Sequence, residues 1–177
     1  YNLQSGQIIW QCGGLTDNAI PCPVVDGNAV YCMTGYQGFS LLALPLSARG
    51  DITGSDKILW SKKRGTPYTP SPVLYKGLLH YTQSNQALLS CTEAKTGETH
   101  IDRERLNGLA NIYSSLVAAD GKVYITARNG ATLVLKHGKK FEPLATNKLD
   151  DRIDASPALV GNQIFLRGRQ FLYCIGE

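Results

Sequence analysis

Apolar residues run along this chain in short bursts, each broken by a turn built on glycine. Four times a short apolar strand meets such a turn and a second strand follows at once: residues 23–31, 72–81, 116–124 and 157–165. The turn glycines are Gly27, Gly77, Gly121 and Gly161, so the spacings are 50, 44 and 40 residues. A period of 40 to 50 built on short strands is the mark of propeller blades, each a four-stranded antiparallel sheet. The pattern predicts an all-β chain of about four such blades, roughly half of a seven- or eight-bladed ring, with no helix longer than a turn or two.

The expected blades are 11–60, 61–105, 106–148 and 149–177. In the first, strands near 21–25 and 29–34 flank an expected three-residue turn, Asp26-Gly27-Asn28; a third strand follows at 39–44 and, after a long Gly/Ser/Asp-rich insertion, a fourth at 57–60. The second and third blades repeat this order. The fourth has strands near 156–160, 163–167 and 171–175 but no outer strand. The chain reads as opening mid-repeat, with a spare outer strand at 5–10 that suits the fourth blade. Three closures satisfy this: a self-closed four-bladed ring, two half-rings joined, or further blades on a longer chain. Association with a second half-propeller is the favoured expectation, because open blade faces would expose a large apolar area.

Composition agrees with an ordered β protein: 43% hydrophobic and 18% charged, with 18 glycines and eight prolines to serve tight turns. The net charge of +4 is mild, and the one dense basic run, Ser61 to Gly65, falls in an expected loop. Without a basic stripe interleaved with aromatics, nucleic acid is not an expected partner. No apolar run approaches the ~20 residues of a membrane-spanning helix. The five cysteines, Cys12, Cys22, Cys32, Cys91 and Cys174, show no metal-ligand spacing. Cys91 and Cys174 read as small buried strand residues. A three-residue first turn would set Cys22 opposite Cys32, which leaves a bridge open there.

Ser5 to Trp10 and Gly54 to Trp60 each end in a tryptophan preceded by a glycine, and Ala94-Lys95-Thr96-Gly97-Glu98 forms a polar turn before an outer strand. With Ser71-Pro72-Val73, Ser156-Pro157-Ala158 and the closing stretch from Ser156, these segments resemble the repeat of the pyrroloquinoline-quinone-type (PQQ-like) propellers. The resemblance covers nearly the whole chain. It implies the C-terminal half of a bacterial exported member, periplasmic or secreted, with Trp10 and Trp60 packed between neighbouring blades. Thr99-His100-Ile101 and Lys140-Phe141-Glu142 stand where further tryptophans would, so other apolar groups should fill those seams.

A quinoprotein oxidoreductase needs converging oxygen ligands for calcium, and the acids here are scattered save for Asp150, Asp151 and Asp154. No haem motif or nucleophile elbow is present. His80, on a strand near the channel, reads as a satisfied or half-exposed strand histidine, and His100 and His137 as outer-strand and turn residues. Arg49-Gly50-Asp51 matches an adhesion tripeptide within a glycine-rich insertion, a match common by chance.

A site is expected where loops converge on one end of the ring. The segments entering the blades carry Arg64, Tyr68, Asn111, Tyr113, Arg152 and Asp154. The loops between second and third strands carry Tyr36, Gln83, Asn85, Arg128, Asn129, Arg167 and Arg169. Arg, Tyr and Asn in this mixture suit a polar or anionic ligand, or a protein segment. The expected function is therefore non-catalytic binding or scaffolding without a cofactor. The alternative is a fragment of a PQQ-dependent oxidoreductase holding PQQ and calcium.

Overall fold

The computed structural model describes residues 1–176; Glu177, the last residue of the expected fourth blade, lies outside the described residues. The chain opens with β1 (Trp10–Gln11) and then builds the first blade from β2 (Val24–Asp26), β3 (Ala29–Thr34) and β4 (Ser40–Pro45). The short β5 (Gly50–Asp51) lies inside the long connection, and β6 (Trp60–Lys62) closes that blade. The second blade is β7 (Val73–Tyr75), β8 (Leu78–Thr82), β9 (Leu88–Glu93) and β10 (Thr99–Arg105). The third is β11 (Val117–Ala119), β12 (Lys122–Thr126), β13 (Ala131–Lys136) and β14 (Pro143–Lys148). The fourth has three strands, β15 (Ala158–Val160), β16 (Gln163–Arg167) and β17 (Leu172–Gly176). Each blade is an antiparallel meander, and among the described residues there is no helix. The all-β, four-blade propeller arc is present, and it does not close into a ring.

The glycine hairpins are two-residue turns that split into two kinds. Lys76-Gly77 and Asp120-Gly121 place both residues at positive φ, as a type I′ turn requires. In Gly27-Asn28 and Gly161-Asn162 only the glycine is left-handed, as in type II′. Because Asp26 pairs directly with Ala29, the first turn is one residue shorter than expected. That one-residue difference moves Cys22 out of register with Cys32, since side-chain direction alternates along a strand. All five cysteines are free.

Within one chain the N-terminal segment does not reach the fourth blade. Trp10 and Gln11 pair in parallel with Gly50 and Asp51 of the first-blade insertion. Ile9 O accepts from Gly50 N, Gln11 O from Ile52 N, and Gln11 Nε2 donates to Asp51 Oδ2 at 2.8 Å. Arg49-Gly50-Asp51 is thus part of a stitched strand rather than a projecting loop.

The two largest hydrophobic clusters sit between blades, and a smaller one packs the first blade against its own long connection and the N-terminal segment. Tyr31, Met33 and Leu41 of the first blade meet Leu79, Tyr81 and Ala94 of the second. Leu89 of the second shares a cluster with Leu106, Ile112, Val123, Ile125, Leu133 and Leu135, which belong to the third blade and the segment entering it. Trp60 spans the first seam: its ring lies 5.7 Å from that of Tyr31, and its indole N–H donates to Ala94 O at 2.9 Å. Gly97 admits that ring, because a Cβ there would stand 2.7 Å from Trp60 Cδ2. In the seam that lacks a tryptophan, Ile101 and Phe141 pack with Leu78 and Cys91. Trp60→Phe should cost about 1–2 kcal/mol, since it removes the indole hydrogen bond and part of the buried area. Urea unfolding would show this, and an unmoved midpoint would mean that the indole does not hold the seam.

Along the channel, the backbone N–H at the head of one inner strand donates to the side chain heading the next. Cys22 N donates to Ser71 Oγ at 3.0 Å, Ser71 N to Ser115 Oγ at 3.0 Å, and Ser115 N to Ser156 Oγ at 2.8 Å. This ladder runs through all four blades and fixes their order around the axis.

Candidate binding face

A second hydrogen-bonded belt joins the loops at one end of the arc. Ser84 N donates to Thr66 O, Ile112 N to Asn85 O, Arg128 N to Asn111 O, Ile153 N to Arg128 O, and Arg169 N to Arg152 O. Thr66 Oγ1 adds a bond to Thr34 O at 2.5 Å. From the second blade onwards each entering segment is thereby tied to its own blade's second loop, and three of these bonds cross between neighbouring blades. The belt makes a fixed platform of loops that would otherwise move independently.

On this platform the expected residues fall into two groups. Tyr36, Tyr68, Asn85 and Asn111 line a groove of about 560 Å³ with Gln37, Gln86 and Arg105. The Tyr36 and Tyr68 rings stack with centroids 4.9 Å apart. Gln37, Ser84 and Asn111, all lining this groove, hold left-handed backbone with φ of 49°, 47° and 56°. Non-glycine residues pay strain in that region, and such strain gathers where surrounding structure imposes a geometry. Asn85 Oδ1, and Gln83 Oε1 in the same loop, are buried with no hydrogen-bond partner among the described residues. A buried acceptor without a donor is costly, so this loop has unused hydrogen-bonding capacity.

The second group lies across the third and fourth blades. Arg152, Asp154, Arg167 and Arg169 line a basin of about 360 Å³ with Ala155 and Gly168. Arg128 joins it by donating to Asp154 through Nε at 2.6 Å and Nη2 at 3.1 Å, and Arg152 Nε donates to Asp154 Oδ2 at 3.1 Å. The Arg128 guanidinium also lies 3.7 Å from the centroid of the Tyr113 ring, a cation–π stack. Partial burial pushes the Asp154 carboxyl up, but the Arg128 and Arg152 guanidiniums outweigh it and hold it below its usual value. Arg167 and Arg169 have no carboxylate partner among the described residues.

The floor of this basin is set by Asp151. Its carboxylate accepts from the backbone N–H groups of Arg152, Arg169, Gln170 and Phe171 and from the Tyr173 hydroxyl. Burial raises this carboxyl, yet the donors around it prevail and keep it low. Asp151 is therefore a loop-forming residue. Asn129 is likewise structural, since its Nδ2 donates to Gly108 O at 2.9 Å.

Arg64 stands apart from both groups. It pairs with Asp102 on β10 at 3.3 Å and lines a recess with Lys62, Lys63 and Thr99. The reason is local: β6 runs on to Lys62, so Arg64 still follows the outer strand instead of entering the face. Gln37, Gln86 and Arg105 line the groove without having been expected there. Arg105 was not expected there because it ends the outer strand β10, and the two glutamines carry no signal that sets them apart from other loop residues.

No family model matches the chain, and no curated protein matches it by sequence. Its likeness is to solved structures, and it is a likeness of fold. The computationally designed Ika4 protein superposes with a TM-score of 0.70 at 12% identity, over 97% of this chain and 98% of that one. BamB from Moraxella catarrhalis gives 0.65 at 19% identity, over 97% of this chain and 50% of its own. A europium-containing methanol dehydrogenase gives 0.55 at 14%, over 71% of this chain and 24% of its own. The fold is a β-propeller's. The chain spans about half the length of BamB, and also half that of the designed Ika8 protein, which it matches with a TM-score of 0.70.

Proposed function

We propose that this chain is a non-catalytic binding propeller of the bacterial exported space, whose loop face takes an extended protein segment carrying acidic side chains. One observation carries the reading: a rigid belt holds a stacked tyrosine pair, two unpaired amide acceptors and a basic basin on the same end of the arc. Peptide groups would meet Asn85 and Asn111 where they line the groove, an apolar side chain would lie on the Tyr36–Tyr68 pair, and a carboxylate would reach Arg152 and Arg167. Arginine forks suit a carboxylate through paired hydrogen bonds. The likeness to BamB and the PQQ-like repeat motifs support the placement in exported space.

The rival, a quinoprotein fragment, would need oxygens for calcium. Among the described residues no three acids, histidines or cysteines converge as a metal group, and Asp151 and Asp154 are occupied by N–H donors. Selection of a displayed random-peptide library on the chain separates the readings. Acidic segments should be enriched, and Tyr68→Ala with Asn85→Ala should weaken them at least about tenfold, the equivalent of 1.4 kcal/mol. Absence of enrichment would overturn the proposal. So would saturable quinone and calcium binding with dye-linked alcohol oxidation.

A further inference from the structure

The geometry points to an anion site apart from the loop face: the recess between the first and second blades takes a dianionic oxyanion, phosphate or a phosphate monoester. The site is independent of what the loop face binds.

The recess has a volume of about 420 Å³. The end of β6 and the residues after it wall one side, and β8, β9 and β10 of the second blade wall the other. Lys62, Lys63 and Arg64, the one dense basic run of the chain, line it against a single carboxylate, Asp102. Three cations to one carboxylate leave two positive charges in surplus, which suits a dianion better than a lone carboxylate.

The cations are held across the recess instead of trailing into solvent. Lys62 Nζ donates to Thr99 Oγ1 on β10, and Arg64 Nη2 donates to Asp102 Oδ2 at 3.3 Å. An ammonium has three N–H donors and a guanidinium five, so most of these donors are uncommitted. Lys63 makes no ion pair among the described residues. Asp102 is shared with Arg103, whose Nε lies 3.5 Å from Oδ1, so it neutralises Arg64 only in part. Burial lowers the pKa of the Lys62 ammonium, with Asp102 pulling the other way. An anion in the recess would supply the countercharge that this lysine lacks. Charge-assisted bonds from lysine and arginine are what hold phosphate oxygens.

The second observation is the backbone of β10. Its pairing with β9 shifts register twice, between Thr99 and Ile101 and between Ile101 and Glu104. Asp102 and Arg103 fall in the second shift, and Arg103 has left-handed backbone with φ of 53°. A non-glycine residue pays strain there, and bulges re-aim side chains. Arg103 N donates to Ser90 Oγ at 3.2 Å. Ser90 is 3% exposed and lines the recess, and its own hydroxyl proton has no acceptor among the described residues. Gly65 seats the basic run on this bulge, since a Cβ there would stand 3.3 Å from Arg103 Cδ. The strained bulge thus sets a buried, uncommitted hydroxyl beside three cations, and an oxyanion can use both.

The test is an amide NMR titration of the intact, isotope-labelled chain with sodium phosphate at constant ionic strength. The amide resonances of Lys63, Ser90 and Arg103 should move along one saturating curve, and sodium acetate should leave them in place. Lys62→Gln with Arg64→Gln should weaken binding at least about tenfold, while the resonances of the third and fourth blades stay where they were. Asp102→Asn should tighten it. Phenyl phosphate separates the two sources: if it binds more tightly than phosphate, the ligand carries its phosphate on an organic group, and otherwise the free ion is the ligand. Shifts confined to the amides of Arg152, Arg169 and Gln170 overturn the proposal. So does a response that never saturates, an equal response to acetate, or a double variant that binds phosphate as tightly as the parent.

Discussion

Between pH 7.5 and pH 4 the folded chain is expected to lose about 3 kcal/mol of stability through a single side chain, His80. Its ring is wholly buried on β8, opposite Cys91 of β9, and neither ring nitrogen has a hydrogen-bond partner among the described residues. Burial, then the neighbouring His137 ring at 5.4 Å, lowers its pKa to about 4. Backbone groups of Gly138 and Leu78 pull the other way without offsetting this. The unfolded chain takes up the proton near pH 6.5, while the folded chain resists it until about pH 4. The contribution is therefore whole above pH 6.5 and drains away as pH falls towards 4. Burial also depresses His137, aided by Lys76, and adds a slope of the same sign. Urea titrations across this range should show the loss, and His80→Leu should remove most of it. A variant that keeps the full slope would place the acid sensitivity elsewhere. His80 was expected to be a satisfied or half-exposed strand histidine; it is neither, being fully buried with no partner for its ring nitrogens among the described residues.

Gly130→Ala is expected to cost about 3 kcal/mol or more, among the larger effects a single methyl group can have. Gly130 has φ of 81°, a left-handed conformation that alanine adopts only with strain. A Cβ would overlap the Leu149 carbonyl oxygen and stand 2.6 Å from Asp151 O. Both obstacles are backbone, so no side chain can swing away. The displaced segment leads to Arg152 and Asp154, and Leu149 N donates to Gly130 O. The variant should lose thermal stability and, with it, any affinity that depends on the basic basin. Gly121→Ala is the control, since nothing lies within 4 Å of its Cβ position and only the strain of its φ remains. Equal melting temperatures for the two variants would refute the overlap argument.

The blades were legible because a glycine hairpin between two apolar strands leaves a local mark, and it recurs. The seam role of Trp60 was legible from the resemblance. Three features were not. The β1–β5 pairing joins two short strands, and its second member lies in a glycine-rich insertion with no periodicity. The left-handed backbone at Ser84 goes with its belt bond to Thr66, and that at Gln37 is likewise not marked by residue type. The fate of Arg64 turned on where β6 stops, and strand ends are poorly marked in sequence. Tyr68, Asn85, Arg128 and Arg152 were expected on one face, and they lie there because propeller topology sets loop positions before side chains are considered.

The two largest clusters each belong to two neighbouring blades, so most of the core is shared across seams. Folding is then a matter of neighbours, in which every internal blade is held from both sides and a terminal blade from one. Local opening should therefore pass from seam to seam, as a stepwise sequence rather than a single collapse.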